Sequence, residues 1–397
     1  MIDNKKVTIV SVYSLMFACA AVLVIISPML DEIGKEFSLT TIQMGMLMAF
    51  QFIGFTIFTI MGGIIADKVS KKAVLSVAVC ANCVLLFLFA AVQSFEGVLA
   101  LLFFIGGGTG IMESMSTSMA ADLNPAKRTF HINFIQVIFG VGALAMPLIT
   151  GYALSNGVSW RSIYIGTGAL YAAVAILFLL VKMPQAEKSD SISLKSVKSL
   201  LKNKYFLMTC ICLFCYTGAE VGVWGWMSTF TKETMHFDVL QSNLTVGLFW
   251  GMMILSRTVL SFAASKWSAR KIAIVLAALS IPATLMVAMA TSEPMVWISI
   301  ILIGIFYSAQ YPMILAHGTE DIKDSTGTVF AIAFASGGVG MSVAPYLMGV
   351  IGEAAGSRLS LLLPAVLLGS IVLIQAVFYR PRKKESGKEP GKIANTT

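Results

Sequence analysis

Apolar stretches of 20 residues or more recur twelve times along the chain. They run roughly over 8–30, 41–65, 73–94, 98–121, 129–152, 160–182, 205–230, 240–263, 271–291, 295–317, 327–352 and 359–379. A helix that crosses the hydrocarbon core of a bilayer needs about 20 such residues. Lipid offers no partner to a free backbone N–H or C=O, so each stretch must close its own hydrogen bonds as a helix. Composition points the same way: 57% of the 397 residues are hydrophobic and 12% are charged, against about a quarter charged in soluble domains. The first stretch is too long for a signal-peptide core, and no small-residue cleavage site follows it, so it reads as a retained span. The expected class is an all-α membrane protein of twelve transmembrane helices.

The loop charges orient the bundle. With the N-terminus in the cytoplasm, 23 lysines and arginines fall in cytoplasmic segments. Only Lys35, Arg161, Lys232 and Arg358 fall outside, and Arg257 lies within a span. This bias predicts a multi-pass protein of the cell membrane, a bacterial inner membrane, with both termini cytoplasmic. The basic tail 380–397 reads as a topology anchor on anionic lipid. The six cysteines all lie in apolar runs and lack the histidine partners of a zinc site, so neither a disulfide framework nor a metal site is expected.

The chain also repeats itself. The polar segment 183–204 divides the spans six and six, giving bundles over 1–182 and 205–379. Lys71 and Lys72 correspond to Arg270 and Lys271 at an offset of 199. Gly106 corresponds to Gly304, Gly142 to Gly340 and Pro147 to Pro345, all at 198. Both halves start from the same side, so the axis relating them lies along the membrane normal. Parallel repeats of this kind accompany a solute site at the interface between the halves.

The segment "GIIADKVSKK" after the second span, with Gly63, Asp67, Lys68, Lys71 and Lys72, resembles the loop signature of the major facilitator superfamily. Ser70 stands at the second glycine of that signature. The resemblance of topology and repeat covers almost the whole chain. It implies the major facilitator fold, two homologous six-helix bundles. It also implies a gating role for this loop, with Asp67 near the N-terminus of the eleventh helix around 326–328, where a carboxylate meets the positive end of the helix dipole. A solvated loop salt bridge is the other reading.

Three further segments are similar to the fucose–glucose–galactose proton-symporter branch of that superfamily. "GGGTGIMES" (106–114) ends a glycine-rich run in Glu113. "YTGAEVGVWGWM" (216–227) carries Gly218, Glu220, Gly222 and Trp226. "NFIQ" (133–136) carries Asn133 and Gln136. Ser256 precedes Arg257 where the branch has glycine. The branch also carries a proton-binding aspartate in the first helix, before a proline. Here Val24 stands at that position before Pro28, and no acid occurs between Asp3 and Asp31. Coupling through that position is excluded.

Glu113, Glu220 and Arg257 are the ionisable side chains well inside the expected spans. At the bilayer centre each costs about 2.5–3.5 kcal/mol, so they should face the bundle interior. Removal from water favours the neutral carboxyl, which suits a group that takes up and releases a proton. The helical rise of 1.5 Å per residue puts Glu113 roughly 13 Å and Glu220 about 22 Å from the cytoplasmic ends of their helices, with Arg257 level with Glu113. Glu113 and Arg257 are therefore the expected proton-coupling pair, either as a switch or as a permanent ion pair. Glu220, between two glycines, is the expected solute contact, or a tie between helices. Gln51, Asn133, Gln136, Tyr216, Trp224, Trp226, Trp250, Tyr307, Gln310 and Tyr311 add amides and aromatic faces of the sort that hold a sugar. Each of these types also occurs as interfacial anchor or interhelical bridge.

The sequence has no nucleotide loop, metal cluster or nucleophile–base pair. "GGGTG" lies within a span with no lysine after it and reads as close helix packing. The expectation is a non-enzymatic carrier without a cofactor. It would be a monomer in the bilayer, importing a hexose or similar small polar solute with protons and binding no nucleic acid. The rival is a proton-coupled exporter of drugs or metabolites, whose usual Gly-Pro pair in the fifth helix is replaced here by Met146-Pro147. A sensor on the same scaffold would need no titratable acid.

Overall fold

The computed structural model describes residues 5–123, 128–181, 200, 202–263, 267–319 and 326–377. Most of the expected linker and the whole of the basic tail lie outside these residues. Among the described residues, twelve helices are long and apolar enough to cross a membrane: Lys6–Glu36, Thr41–Ala66, Lys71–Ala90, Phe95–Ala120, Phe130–Ser155, Trp160–Leu180, Lys204–Met235, Val239–Leu260, Ala269–Ala288, Glu293–Thr319, Ala331–Ala355 and Ser357–Val377. They are numbered in chain order as spans one to twelve. All twelve expected stretches are found, with ends moved by a few residues.

Polar caps set several of the starts. Thr40 and Gln43 form a reciprocal capping box on the second span. Ser70, Ser159 and Ser268 each accept the N–H three residues on, and Asn203 accepts from Tyr205 and Phe206. Each cap satisfies backbone donors that a helix start leaves free. The start of the first span and the described span ends next to the even-numbered connections lie at one end of the bundle, here called the terminal end. Odd-numbered loops lie at the far end. Two of those turn on Gly157 (φ 77°) and Gly356 (φ 89°), a left-handed backbone that glycine adopts without strain.

The repeat seen in the sequence is also a repeat of contacts. A Cβ on Gly106 would meet the Gln51 carbonyl at 1.9 Å, and one on Gly304 the Phe249 carbonyl at 2.8 Å. Gln51 and Phe249 are themselves 198 residues apart, so the fourth span packs on the second as the tenth packs on the eighth. Gly142 abuts the Phe17 carbonyl at 2.5 Å and Gly340 the Phe214 carbonyl at 2.1 Å, which pairs the fifth span with the first and the eleventh with the seventh. Backbones this close give the dispersion contacts that hold helices together in lipid.

Among the described residues three spans are interrupted. The first breaks at Ile25, between helices Lys5–Val24 and Ile26–Glu36. Pro28 has no N–H for the Val24 carbonyl. The tenth breaks at 308–309, between Glu293–Tyr307 and Gln310–Thr319, where Pro312 likewise withholds a donor from the Ser308 carbonyl. The twelfth breaks near its start at Leu361, between Ser357–Ser360 and Leu362–Val377, where Pro364 has no N–H for the Ser360 carbonyl. Among the described residues, hydrogen bonds between the halves gather toward the far end. Ser27 Oγ donates to the Trp224 carbonyl at 2.8 Å, and the Ile42 N–H donates to Glu353 at 2.9 Å. Asp31 accepts from Thr229 at 2.6 Å and pairs with Lys232 at 2.7 Å. Nearer the middle, Phe55 stacks on Phe334 across the seam at 5.8 Å.

Candidate functional site

On the seventh span Tyr216, Glu220 and Trp224 lie four residues apart and share one helix face. The eighth span presents Trp250 and Arg257, the tenth Tyr307 and Tyr311, and the fourth Glu113. These side chains meet where the two halves face each other. Tyr216 lies 6.3 Å from both Tyr307 and Tyr311, ring centre to ring centre. Trp224 lies 6.0 Å from Trp250 and 6.2 Å from Phe52, and Phe139 of the fifth span closes on Trp250 at 5.9 Å. Spans from both halves thus supply one aromatic wall.

The charges sit against this wall. Glu113 and Glu220, one from each half, are close enough to repel each other. Tyr311 feels both of them. The first span contributes Cys19, which borders Glu113 and donates to the Thr109 carbonyl at 3.2 Å.

The expected partnership of Glu113 with Arg257 is not what forms. Among the described residues no ion pair within 4.0 Å joins Arg257 to either acid, and the charge acting on Glu220 is that of Arg257. Counting helical rise misjudged the pair for a physical reason. The seventh span has 32 residues, more than a crossing needs, so distance from its start overstates the depth of Glu220. Rise also says nothing about which way around its helix a side chain points.

Other predicted residues are held in place by backbone groups. Gln51 donates to the Leu23 carbonyl at 3.2 Å, beside the break in the first span. Tyr216 donates to the Tyr307 carbonyl at 2.8 Å, and Trp226 donates to the Pro345 carbonyl at 3.1 Å. Tyr307 pairs with Thr284, and Gln310 reaches Ser280 and the Phe306 carbonyl. Trp226 and Tyr307 therefore brace the second half, and Gln310 does so through its amide N–H while its Oε1 is buried without a protein partner. The Trp250 indole N–H and Gln51 Oε1 are buried without a protein partner. Gln136 is half-buried, and the side chain of Asn133 lies outside the described residues.

The loop lysines are similarly engaged. Lys71 binds Asp122 at 2.6 Å and Ser118 at 2.7 Å, and Lys72 binds the Val181 carbonyl at 2.5 Å. These bonds tie the third span to the fourth and to the end of the sixth. Lys68 is exposed, and a Cβ on Gly63 would meet nothing within 4 Å. The side chain of Asp67 and those of 326–328 lie outside the described residues. The sequence reading did not include the far-end cluster of Asp31, Thr229 and Lys232. Its signal was present, since an acid and a base close the paired first and seventh spans.

Twelve apolar helices in two repeated sets, with ionisable side chains kept to the seam between them, define a membrane transport protein. Residues 12–343 match the Major Facilitator Superfamily, and the chain belongs to that family. It is 24% identical over 373 residues to Protein TsgA of Escherichia coli O157:H7, covering 91% of this chain and 92% of the relative. A TsgA homolog of Buchnera aphidicola subsp. Baizongia pistaciae is 23% identical over 278 residues, 70% of this chain and 71% of that one. Among solved structures, a point variant of the E. coli fucose:proton symporter FucP is 20% identical with a TM-score of 0.66, covering 94% of this chain and 98% of that one. A point variant of the nucleoside transporter NupG is 15% identical with a TM-score of 0.79, covering 94% and 99%.

Proposed function

We propose that the protein is a secondary active transporter that imports a hexose or similar small polar solute by proton symport. The observation that carries this reading is that Glu113 and Glu220, one acid from each half, lie within electrostatic reach of each other, with Arg257 acting on Glu220, beside an aromatic wall. A carboxyl at the seam is where a change of protonation alters the force between the halves, which is what alternating access requires. Glu113 is the proton site and Glu220 the acid that faces the solute. Trp224, Trp250, Tyr311 and Gln51 offer apolar ring faces and unpaired polar atoms to a sugar. The likeness to a fucose:proton symporter supports the choice of solute class.

The loop-charge bias supports cytoplasmic termini in a cell membrane. The far-end bonds then belong to a state closed to the outside. In this reading residues 1–182 and 205–379 rock about the seam as a monomer. The Gly63–Lys72 loop holds the cytoplasmic side in the opposite state.

The test is proton flux in liposomes holding a pH-sensitive dye. Wild type, Glu113→Gln and Glu220→Gln are compared across hexoses, nucleosides and cationic drugs. A hexose or related polyol should acidify wild-type vesicles, and Glu113→Gln should leave solute exchange without proton movement. Proton movement driven only by cationic drugs would favour the exporter. Unchanged coupling in both variants would remove the acids from the mechanism.

A further inference from the structure

The break in the tenth span is held by side chains from three helices. The Ser308 N–H reaches back only three residues, to the Ile305 carbonyl at 3.4 Å, and the ladder resumes with Met313 donating to Ala309 at 3.1 Å. Between them four consecutive carbonyls receive side-chain donors. Ile305 takes Ser256 at 3.0 Å, Phe306 takes Gln310 at 3.0 Å, Tyr307 takes Tyr216 at 2.8 Å and Ser308 takes Arg257 Nε at 2.8 Å. Pro312 is the cause at Ser308, because no N–H four residues on can serve that carbonyl. A carbonyl left bare inside a bundle is costly, so these donors fix the break.

Two of the four donors also act on Glu220. Tyr216 lies one turn before it on the same helix, and Arg257 is the nearby cation. The hydroxyl of Tyr216 has a single proton. While that proton rests on the Tyr307 carbonyl, the phenol oxygen can only accept from Glu220, so Glu220 must be the neutral acid to bond it. An ionised Glu220 accepts only. It then competes with two carbonyls for the Tyr216 O–H and for the guanidinium, with charge in its favour.

We propose that Tyr216 and Arg257 are positioning residues that report the protonation of Glu220 to the break at 308–309. With Glu220 neutral both donors stay on the carbonyls of Tyr307 and Ser308. When Glu220 gives its proton to water at the open side of the site, the carboxylate draws both donors off. The helix Gln310–Thr319 is then free to change its angle against Glu293–Tyr307. Pro312 is what makes the Ser308 carbonyl at the break depend on a borrowed donor. The groups facing Glu220 are Glu113 from the fourth span, Tyr216 from its own helix, Arg257 from the eighth and Tyr307 and Tyr311 from the tenth. The inference rests on the acid cluster being the proton site, and it shifts part of that role from Glu113 to Glu220.

The test is amide hydrogen exchange in lipid nanodiscs from pH 5 to 9, corrected for the intrinsic rate and read on peptides covering 303–319. In wild type, exchange of 308–313 should quicken about tenfold from low to high pH, the change that loss of an ordinary hydrogen bond produces. Glu220→Gln should be slow at every pH. Pro312→Ala restores the missing N–H and should also be slow and flat, with Glu220 intact. Tyr216→Phe should be fast at every pH, and Arg257→Lys should keep a reduced pH response. A wild-type profile flat with pH overturns the proposal, as does a response that survives in Glu220→Gln or in Pro312→Ala. The readout needs no solute. If the pattern holds while no solute moves protons in liposomes, the symport reading fails and this one stands.

Discussion

Removing the charge of Asp31 should open the far end. Asp31 and Lys232 have side chains only 12% and 16% exposed, 2.7 Å apart, and Thr229 adds a bond at 2.6 Å. The pair joins the first span to the seventh, across the halves. Asp31→Asn keeps the shape and a partner for Thr229 but leaves Lys232 without its counter-charge. Breaking a buried pair from one side costs about 3–5 kcal/mol, and the remaining exposure reduces that to about 2 kcal/mol. The cost falls only on the state in which the far end is closed, because separation of the halves returns Lys232 to water. A bias of about 2 kcal/mol shifts the closed-to-open ratio about 30-fold. Ser27 lies just inside this cluster and is buried. A Ser27→Cys reporter in a cysteine-free background should therefore react with a membrane-impermeant thiol reagent about 30-fold faster when Asp31→Asn is added. Adding Lys232→Met to Asp31→Asn removes the stranded charge and should slow labelling again. Equal labelling rates with and without Asp31→Asn would refute the argument, as would a double variant that labels faster than the single one.

Three further outcomes follow from contacts already described. Glu353→Gln removes a carboxylate from the first-turn N–H of Ile42, where the helix dipole favours negative charge. It should raise far-end labelling roughly two- to fourfold at low salt and less at high salt. Gly106→Ala places a methyl 1.9 Å from the backbone of Gln51, which no side chain can yield to. It should lower the unfolding temperature sharply in detergent, whereas Gly63→Ala, with open space around it, should leave it unchanged or raised. If Gly63→Ala nevertheless abolishes solute flux, the loop acts in gating rather than in folding. Lys71→Ala frees Asp122 and Ser118 and should cost about 1 kcal/mol, read as a lower unfolding temperature.

What could be read from the sequence divides by range. Twenty apolar residues in a row are a local signal, and lipid leaves the backbone no alternative to a helix, so all twelve spans were legible. The repeat was legible because constant offsets survive even where residue types drift, and Gly106 and Gly304 keep matching carbonyl contacts. Glu113, Glu220 and Arg257 were legible as charges in apolar surroundings. Which of them meet was not, because a helix hides azimuth from its own sequence. Trp226 and Gln310 looked like solute contacts by residue type. Each finds a buried partner within the second half, and such acceptors appear only once the helices are packed.

The breaks in the first and tenth spans set the position of Val24 in a new light. Pro28 and Pro312 both withhold a backbone donor, and each break is steadied by a side chain from a neighbouring helix. In the first span that side chain is Gln51, at the Val22 and Leu23 carbonyls. An amide has no net charge, and with Val24 beside it nothing at that position can ionise to draw it away. In the tenth span the donors include a guanidinium within the field of Glu220. A change of one proton alters the forces on that break and leaves the other untouched. A chain that lacks an acid before the proline of its first span can still couple proton uptake to helix geometry, provided that the responsive break lies in its second half. Val24→Asp would then add a second titrating group next to Gln51. The expected result is a pH response at the first break that wild type lacks, measurable as exchange of the amides of 22–29. A response of equal size in wild type would show that the first break senses protons through some other group.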